Sequence, residues 1–524
     1  MPSRTQGLGT GRPARDTRTR VRLLLIGLGL VALCAYGLLG IATGVTVDND
    51  SQALLETFRS LLDGEYRVSR TSGFPLYEFS GASAYAVGGV RGAMVLSLVF
   101  TLSALVILIE PTRALRSWSG LVAWLGVALT PIIFTNASAI METALLLLMI
   151  SLLCLVLSTR HLSNRHRPVV LAVVMIAMVL TRPDSIFLGA ATSIALLTLH
   201  FPLRVKKTVP WEALSAAIGI LIGFLALWAI TRRNPFMSEF LPTESPIRRV
   251  LRGIVGTATL FGPVGAIALL VLLCSLVVLV WKLRTESDVD NRDSPLHIPR
   301  FASWWALSTL LLYGLRFLTL PDELEYLLPV LVVLAVTSAC ITSVSTFTGT
   351  LSLVALGSAV ATGLVSVSLL DRTSPWQVTP GIGVSLQPGG WVQDLQSRRA
   401  AQIRSTQQYQ DFLRKSLGPL QVELDSRAAT LLPRDAWNYV LNPGYAQYFY
   451  EFESIIGCDE ITSETLIPAW RVSQRAASFA DITAFDRNEP VACEVVASMV
   501  GPIVTPVNSG RAFAGDDQFQ RPQP

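Results

Sequence analysis

Two carboxylates close the first apolar run of this chain: the stretch VTVDND sets Asp48 and Asp50 as an Asp-x-Asp pair where hydrocarbon-like sequence gives way to polar sequence. An ionised carboxylate costs little beside lipid headgroups, whereas at a bilayer centre it would cost ~3 kcal/mol or more. Held there, Asp48 could act as a general base that takes the proton from an acceptor hydroxyl. The pair could instead hold a divalent cation, magnesium or manganese, against a phosphate, because hard cations favour carboxylate oxygens. Asp50 has a plainer reading as well, since Asp50 or Ser51 makes a good N-cap for the segment that follows. Asp48 precedes that cap.

Arginines supply the complementary charge. The segment SRTSGFPLYE, Ser69 to Glu78, carries Arg70 beside a turn made by Gly73 and Pro75, a place from which a guanidinium could fix a phosphate. Arg67 and Arg70 read equally as surface charges. Arg91 falls inside the second apolar stretch, where an arginine faces a cavity, finds a partner or snorkels to the surface. The run from Pro168 to Thr181 spans only ~21 Å as a helix, short of a ~30 Å hydrocarbon core, and ends in TRPDS. Arg182 and Asp184 should therefore sit below the membrane surface, lining a watery cavity or closing the turn as a mutual ion pair. In LLYGLRFLTLPDELEYLLPVL, Leu311 to Leu331, Arg316 and Glu325 could read a charged lipid headgroup and its sugar, while Asp322 and Glu323 read as helix caps.

The elements that position these residues are apolar. The 524 residues are 51% hydrophobic and 15% charged, with a mean hydropathy of +0.50, which excludes a soluble nucleic-acid enzyme and points to a multi-span membrane protein. About eleven stretches approach the ~20 residues a spanning helix needs: 23–45, 82–109, 118–134, 140–157, 169–180, 185–203, 213–230, 257–281, 302–320, 324–344 and 350–370. The basic residues Arg4 to Arg22, Arg113, Arg116, Arg160, Arg165, Arg167, Arg204, Lys206, Lys207, Lys282, Arg284, Arg292 and Arg300 gather on one side of these spans. That bias puts the N-terminus in the cytoplasm and, with an odd span count, the tail outside. Against the bias, the fourth outer loop holds Arg232, Arg233, Arg248, Arg249 and Arg252, which suit anionic lipid or a phosphorylated substrate.

Three regions follow: a basic N-terminus, 1–22; a transmembrane domain, 23–371, with a helix at 50–63; and an outer C-terminal domain, 372–524. In the 50–63 helix Leu54, Leu55, Phe58, Leu61 and Leu62 share one face, and Gly64 is placed to end it. A helix this short and charged is expected to lie in the interface plane, its leucines gripping the outer leaflet. The tail reads as a Gly- and Pro-rich connector (375–390), a helix (392–417) and strand-like runs (446–456 and 491–500). Cys34, Cys154, Cys274 and Cys340 lie in apolar spans as packing residues. Cys458 and Cys493 lie in the tail, where an outer compartment permits a disulfide; two unpaired buried thiols are the alternative.

Taken in order, Asp48, DGEY (Asp63 to Tyr66), GFPLY (Gly73 to Tyr77), LTRPDS (Leu180 to Ser185) and the E-x-YLLP element (Glu325 to Pro329) resemble the GT-C glycosyltransferases, polytopic enzymes that use polyprenyl-phosphate-linked sugars and include the protein O-mannosyltransferase and aminoarabinose transferase types. The resemblance runs from about Val45 to Pro329. It implies an all-α, GT-C-like membrane protein of about 11 transmembrane helices with a small extracytoplasmic α+β C-terminal domain, placed in the plasma membrane. It makes Asp48 the catalytic base, with Asp50 sharing that work, and sets the donor phosphate and lipid-linked sugar among Arg70, Arg91, Arg182, Arg316, Glu325 and Tyr326, in a hollow that the arginines make electropositive. Where many relatives carry Asp-Glu, this chain has Asp48-Asn49-Asp50, and no WWD signature of oligosaccharyltransferases is present.

The implied reaction moves one hexosyl or pentosyl unit, with inversion, to a glycan, lipid or protein acceptor. No cofactor is firmly implied beyond the divalent metal that Asp48 and Asp50 would admit. A lipid or polysaccharide transporter or flippase, or an envelope scaffold whose tail is the working part, fits the many spans as well.

Overall fold

The computed structural model describes residues 12–43, 49–69, 73–159, 166–198, 211–232, 246–285, 299–319 and 324–368, with short strands beyond. The helices are α1 (Arg12–Thr43), α2 (Asn49–Leu62), α3 (Pro75–Leu108), α4 (Trp118–Ala128), α5 (Pro131–Asn136), α6 (Glu142–Ser158), α7 (His166–Thr181), α8 (Ser185–Thr198), α9 (Trp211–Thr231), α10 (Pro246–Thr285), α11 (Pro299–Phe317), α12 (Leu328–Val344) and α13 (Thr346–Ala361). A 3₁₀ turn, Leu324–Leu327, leads into α12.

Five helical stretches are long and apolar enough to cross a membrane: Thr17–Ala42, Pro75–Leu108, Trp211–Thr231, Arg249–Arg284 and Leu324–Val344. Five more apolar helices, among them α6, α7 and α8, are shorter. The protein is therefore a mostly helical membrane protein. The stretch Leu324–Val344 is the centre of the bundle, with 78% of its apolar window buried inside the protein against 28% for the stretches in α1 and α9. The last two keep large apolar side chains such as Leu24, Val31, Leu221 and Phe224 exposed, as lipid-facing helices do. Two core tryptophans tie helices together through their ring N–H groups: Trp124 donates to the Leu105 carbonyl at 2.8 Å and Trp305 to Thr192 Oγ1 at 3.0 Å.

Four differences from the sequence expectation have clear physical causes. The expected span 118–134 divides into α4 and α5, because Thr130 precedes Pro131 and takes an extended conformation that a helix interior forbids. The second span begins at Pro75 and is broken at Gly88 and Gly89, the latter at φ 58°. The eighth begins at Pro246, so Arg248, Arg249 and Arg252 belong to α10 and not to a loop, and it is broken at Gly262 before Pro263. The eleventh ends at Ala361, after which the alternating Val365–Ser368 forms strand β1.

β1 pairs antiparallel with β4 (Ser385–Pro388), while β2 (Gln377–Thr379) pairs with β3 (Ile382–Gly383). Further on, β5 (Pro468–Val472), β6 (Phe479–Ala484) and β7 (Thr505–Val507) form a three-stranded sheet. The expected tail helix 392–417, the strand-like runs 446–456 and 491–500, and Cys458 and Cys493 lie outside the described residues. Cys34, Cys154, Cys274 and Cys340 lie in apolar helices and form no disulfide among the described residues, as expected of packing residues.

Candidate functional site at the loop end of the bundle

The first loop is built by local rules. α2 ends in a Schellman turn: Gly64, at φ 85°, donates to the Leu61 carbonyl at 3.1 Å, and Glu65 donates to the Ser60 carbonyl at 2.8 Å. The helix occupies Asn49–Leu62 and not 50–63, so Asp50 falls inside the first turn, where a carboxylate suits the helix dipole, and not before it as a cap. Its apolar face does not grip lipid. Leu54, Leu55 and Phe58 are fully buried against α3, and Leu62 is the exposed member of the stripe. The reason is Gly81: any Cβ there would lie 2.2 Å from Phe58 Cζ, so its bare backbone makes the seat for that ring. Periodicity showed an amphipathic helix without showing what would cover it.

The chain after Gly64 is tied down by Glu78, a fully buried carboxylate in the first turn of α3. Tyr66 donates its hydroxyl to Glu78 Oε2 at 2.5 Å, and Ser69 donates both its hydroxyl, at 2.6 Å, and its backbone N–H, at 2.9 Å, to Oε1. Burial first, and then the charge of Glu78 and the bond to it, push the Tyr66 hydroxyl far above the usual tyrosine range, so it stays protonated and donating. The Tyr66 ring stacks on Phe79, with centroids 5.3 Å apart.

The second cluster is assembled from helix ends distant in sequence. Pro183 stops α7, and the tight turn that follows starts α8, with Ser185 donating to the Arg182 carbonyl and Phe187 to that of Asp184, each at 3.0 Å. Arg182, 3% exposed, lies with Nε 2.9 Å from Asp184 Oδ1 and Nη1 3.4 Å from Glu142 Oε1. Glu142 is wholly buried at the start of α6, where the helix dipole favours an acid. Tyr313, near the end of α11, donates to the Asp184 carbonyl at 3.1 Å.

Tyr326 joins this buried group to the surface. The guanidinium carbon of Arg182 is 4.6 Å from its ring centroid and that of Arg316 is 4.3 Å away, both within cation–π range. Arg316, partly exposed, also donates from Nη2 to the Tyr326 hydroxyl at 2.7 Å and from Nη1 to Thr319. The first loop reaches the cluster through Tyr77, which lies within the electrostatic reach of Glu142 and packs against Phe58 with centroids 6.1 Å apart.

Of the residues singled out in the sequence, Arg182, Asp184, Arg316 and Tyr326 come together, and the charge of Glu325 also reaches Arg182. Arg91 stands exposed on α3 just beyond the Gly88–Gly89 break. Asp48 and Arg70 lie outside the described residues, and Asp50 is described in its backbone alone. The charge differs from expectation. Glu142, Asp184 and Glu325 stand against Arg182 and Arg316, so the cluster is balanced by carboxylates and is not a purely electropositive hollow. Glu142 went unmarked in the sequence, although a carboxylate inside an apolar span was itself the signal. Among the described residues no three His, Cys, Asp or Glu side chains group as metal ligands; Asp48 and the side chain of Asp50 lie outside that set.

Protein-family models give no match to the chain, and neither do curated proteins. Two solved structures have a similar fold, both crystal structures of ArnT from Cupriavidus metallidurans. The apo form matches at 14% identity over 62% of this chain and 59% of that one, with a TM-score of 0.42. The form bound to undecaprenyl phosphate matches at the same identity and coverage, with a TM-score of 0.41. The chain thus spans 59% of the length of the structures it resembles, and the likeness concerns the fold alone.

Proposed function

We propose that this chain is a GT-C-type membrane glycosyltransferase that moves a single sugar from a polyprenyl-phosphate donor to an extracytoplasmic acceptor, with inversion. The observation that carries this reading is the meeting of Arg316 and Tyr326 with the buried Glu142–Arg182–Asp184 group at the end of the bundle where the first loop docks. Arg182 is already matched by two carboxylates, which leaves Arg316 as the better cation for an incoming phosphate. The basic bias of the alternate loops supports a cytoplasmic N-terminus, and so an outward-facing site.

In the reaction Asp48 takes the proton of the acceptor hydroxyl, and the freed oxygen forms a bond to the anomeric carbon. The bond from that carbon to the phosphate oxygen breaks on the opposite face, and polyprenyl phosphate leaves with the electron pair. The leaving group is already anionic, so it needs positive charge and not a protonating acid. That demand fits one carboxylate with several arginines, where glycoside hydrolases use paired carboxylates. Arg70 and Arg91 are further candidates for the phosphate, and Glu325 for the sugar hydroxyls.

The test is transfer by purified protein from radiolabelled polyprenyl-phosphate sugars, with Asp48→Asn lowering the rate by about 10²-fold or more. Native protein that turns over no such donor with any acceptor class sinks the reading. The breaks in α3 and α10 favour one alternative, a lipid transporter, because interrupted helices mark transport paths. Movement of a labelled polyprenyl-phosphate sugar across proteoliposomes without chemical change would select it.

A further inference from the structure

Resting on that reading, we infer that Glu142 is a positioning residue: through Arg182 and the Tyr326 ring it sets the pose of Arg316, the guanidinium that would meet the donor phosphate. Glu142 is 0% exposed and cannot touch a substrate itself. Its carboxylate lies 3.4 Å from Arg182 Nη1 while that of Asp184 lies 2.9 Å from Nε, so two carboxylates flank different edges of one planar guanidinium at ion-pair distance and confine its charge between them. A guanidinium flanked on one edge alone would keep the freedom to swing. The confined cation lies 4.6 Å from the centre of the Tyr326 ring, and the hydroxyl of that tyrosine takes the charge-assisted hydrogen bond of Arg316 at 2.7 Å. Arg316 is partly exposed and its long side chain has many rotamers. The ring and hydroxyl of Tyr326 select one of them, and Glu142 stands at the buried end of that chain of contacts.

The chain of contacts makes a specific demand on mutants, because residues acting through one another do not add. Binding of solanesyl phosphate, a polyprenyl monophosphate, to the full-length protein in detergent is measured for native protein, Glu142→Gln, Tyr326→Leu and the double variant, with solanesol as the phosphate-free control. Each single change is expected to weaken phosphate-lipid binding by about tenfold, leave solanesol unaffected, and combine with no further loss.

Losses that multiply to about a hundredfold overturn the relay, as does native-like binding by either single variant. If Glu142→Gln does not purify as a folded protein, Tyr326→Leu decides, since it removes the link without unpairing a buried charge: full binding by that variant overturns the inference. Native protein that fails to bind solanesyl phosphate overturns the proposed function and the relay together. Native binding with additive losses removes the relay alone.

Discussion

Glu78 and Glu142 are both wholly buried carboxylates at the starts of apolar helices, yet they are matched in opposite ways. Glu78 accepts three hydrogen bonds from neutral donors on a segment a few residues upstream. Glu142 faces a guanidinium that it shares with Asp184, brought in by the turn between α7 and α8. The first arrangement fastens a loop, and its energetic weight is that of ordinary buried hydrogen bonds. The second stores charge, so each member depends on the others for compensation, and removing one leaves a buried ion unmatched.

The largest effect should come from Arg182→Leu, which strands Glu142 and Asp184 together. A loss of about 3–5 kcal/mol is expected, read as a collapse of the thermal unfolding temperature in detergent or of folded yield. If that variant stays as stable as native protein, the ion cluster is no keystone. Glu78→Ala leaves the Ser69 N–H and two hydroxyls without their acceptor; a cost of about 1–3 kcal/mol is expected, with faster proteolysis between Gly64 and Gly73 as its local signature. Tyr66→Phe keeps the stack on Phe79 and removes one donor of three. It should cost about 1 kcal/mol, and a larger loss than for Glu78→Ala would show that the Tyr66 hydroxyl, and not the carboxylate, is the main fastening of the loop. Arg67→Ala breaks the 2.7 Å pair with Glu65, whose side chains are 76% and 63% exposed, and should change the unfolding midpoint by no more than about 0.5 kcal/mol in equivalent stability.

The contrast also explains what could be read from the sequence. The Gly64 cap, the break at Gly73 and Pro75, and the turn at Arg182–Pro183–Asp184 all follow from residues within a few positions of one another, and each forms where expected. Helix ends buried inside long apolar runs were harder, because hydropathy averaged over a window passes smoothly across Thr130 and Pro131 although the pair itself marks a break. The partner of the α2 leucine face depended on Gly81, whose meaning appears only when Phe58 arrives from another helix. The ion cluster was half legible. Arg182 and Arg316 drew notice as arginines in apolar surroundings, whereas Glu142 acquired meaning only when α6, α7 and α11 converged.

The knot around Glu78 also fixes how many residues can separate the turn at Gly64 from Ser69. Its acceptor oxygens reach Tyr66 and Ser69 in a set spacing after the turn at Gly64. A one-residue deletion or insertion between these points would pull one donor off the carboxylate while the other stayed attached. This short stretch is therefore closed to changes of length, even where the chemistry of its individual side chains is forgiving.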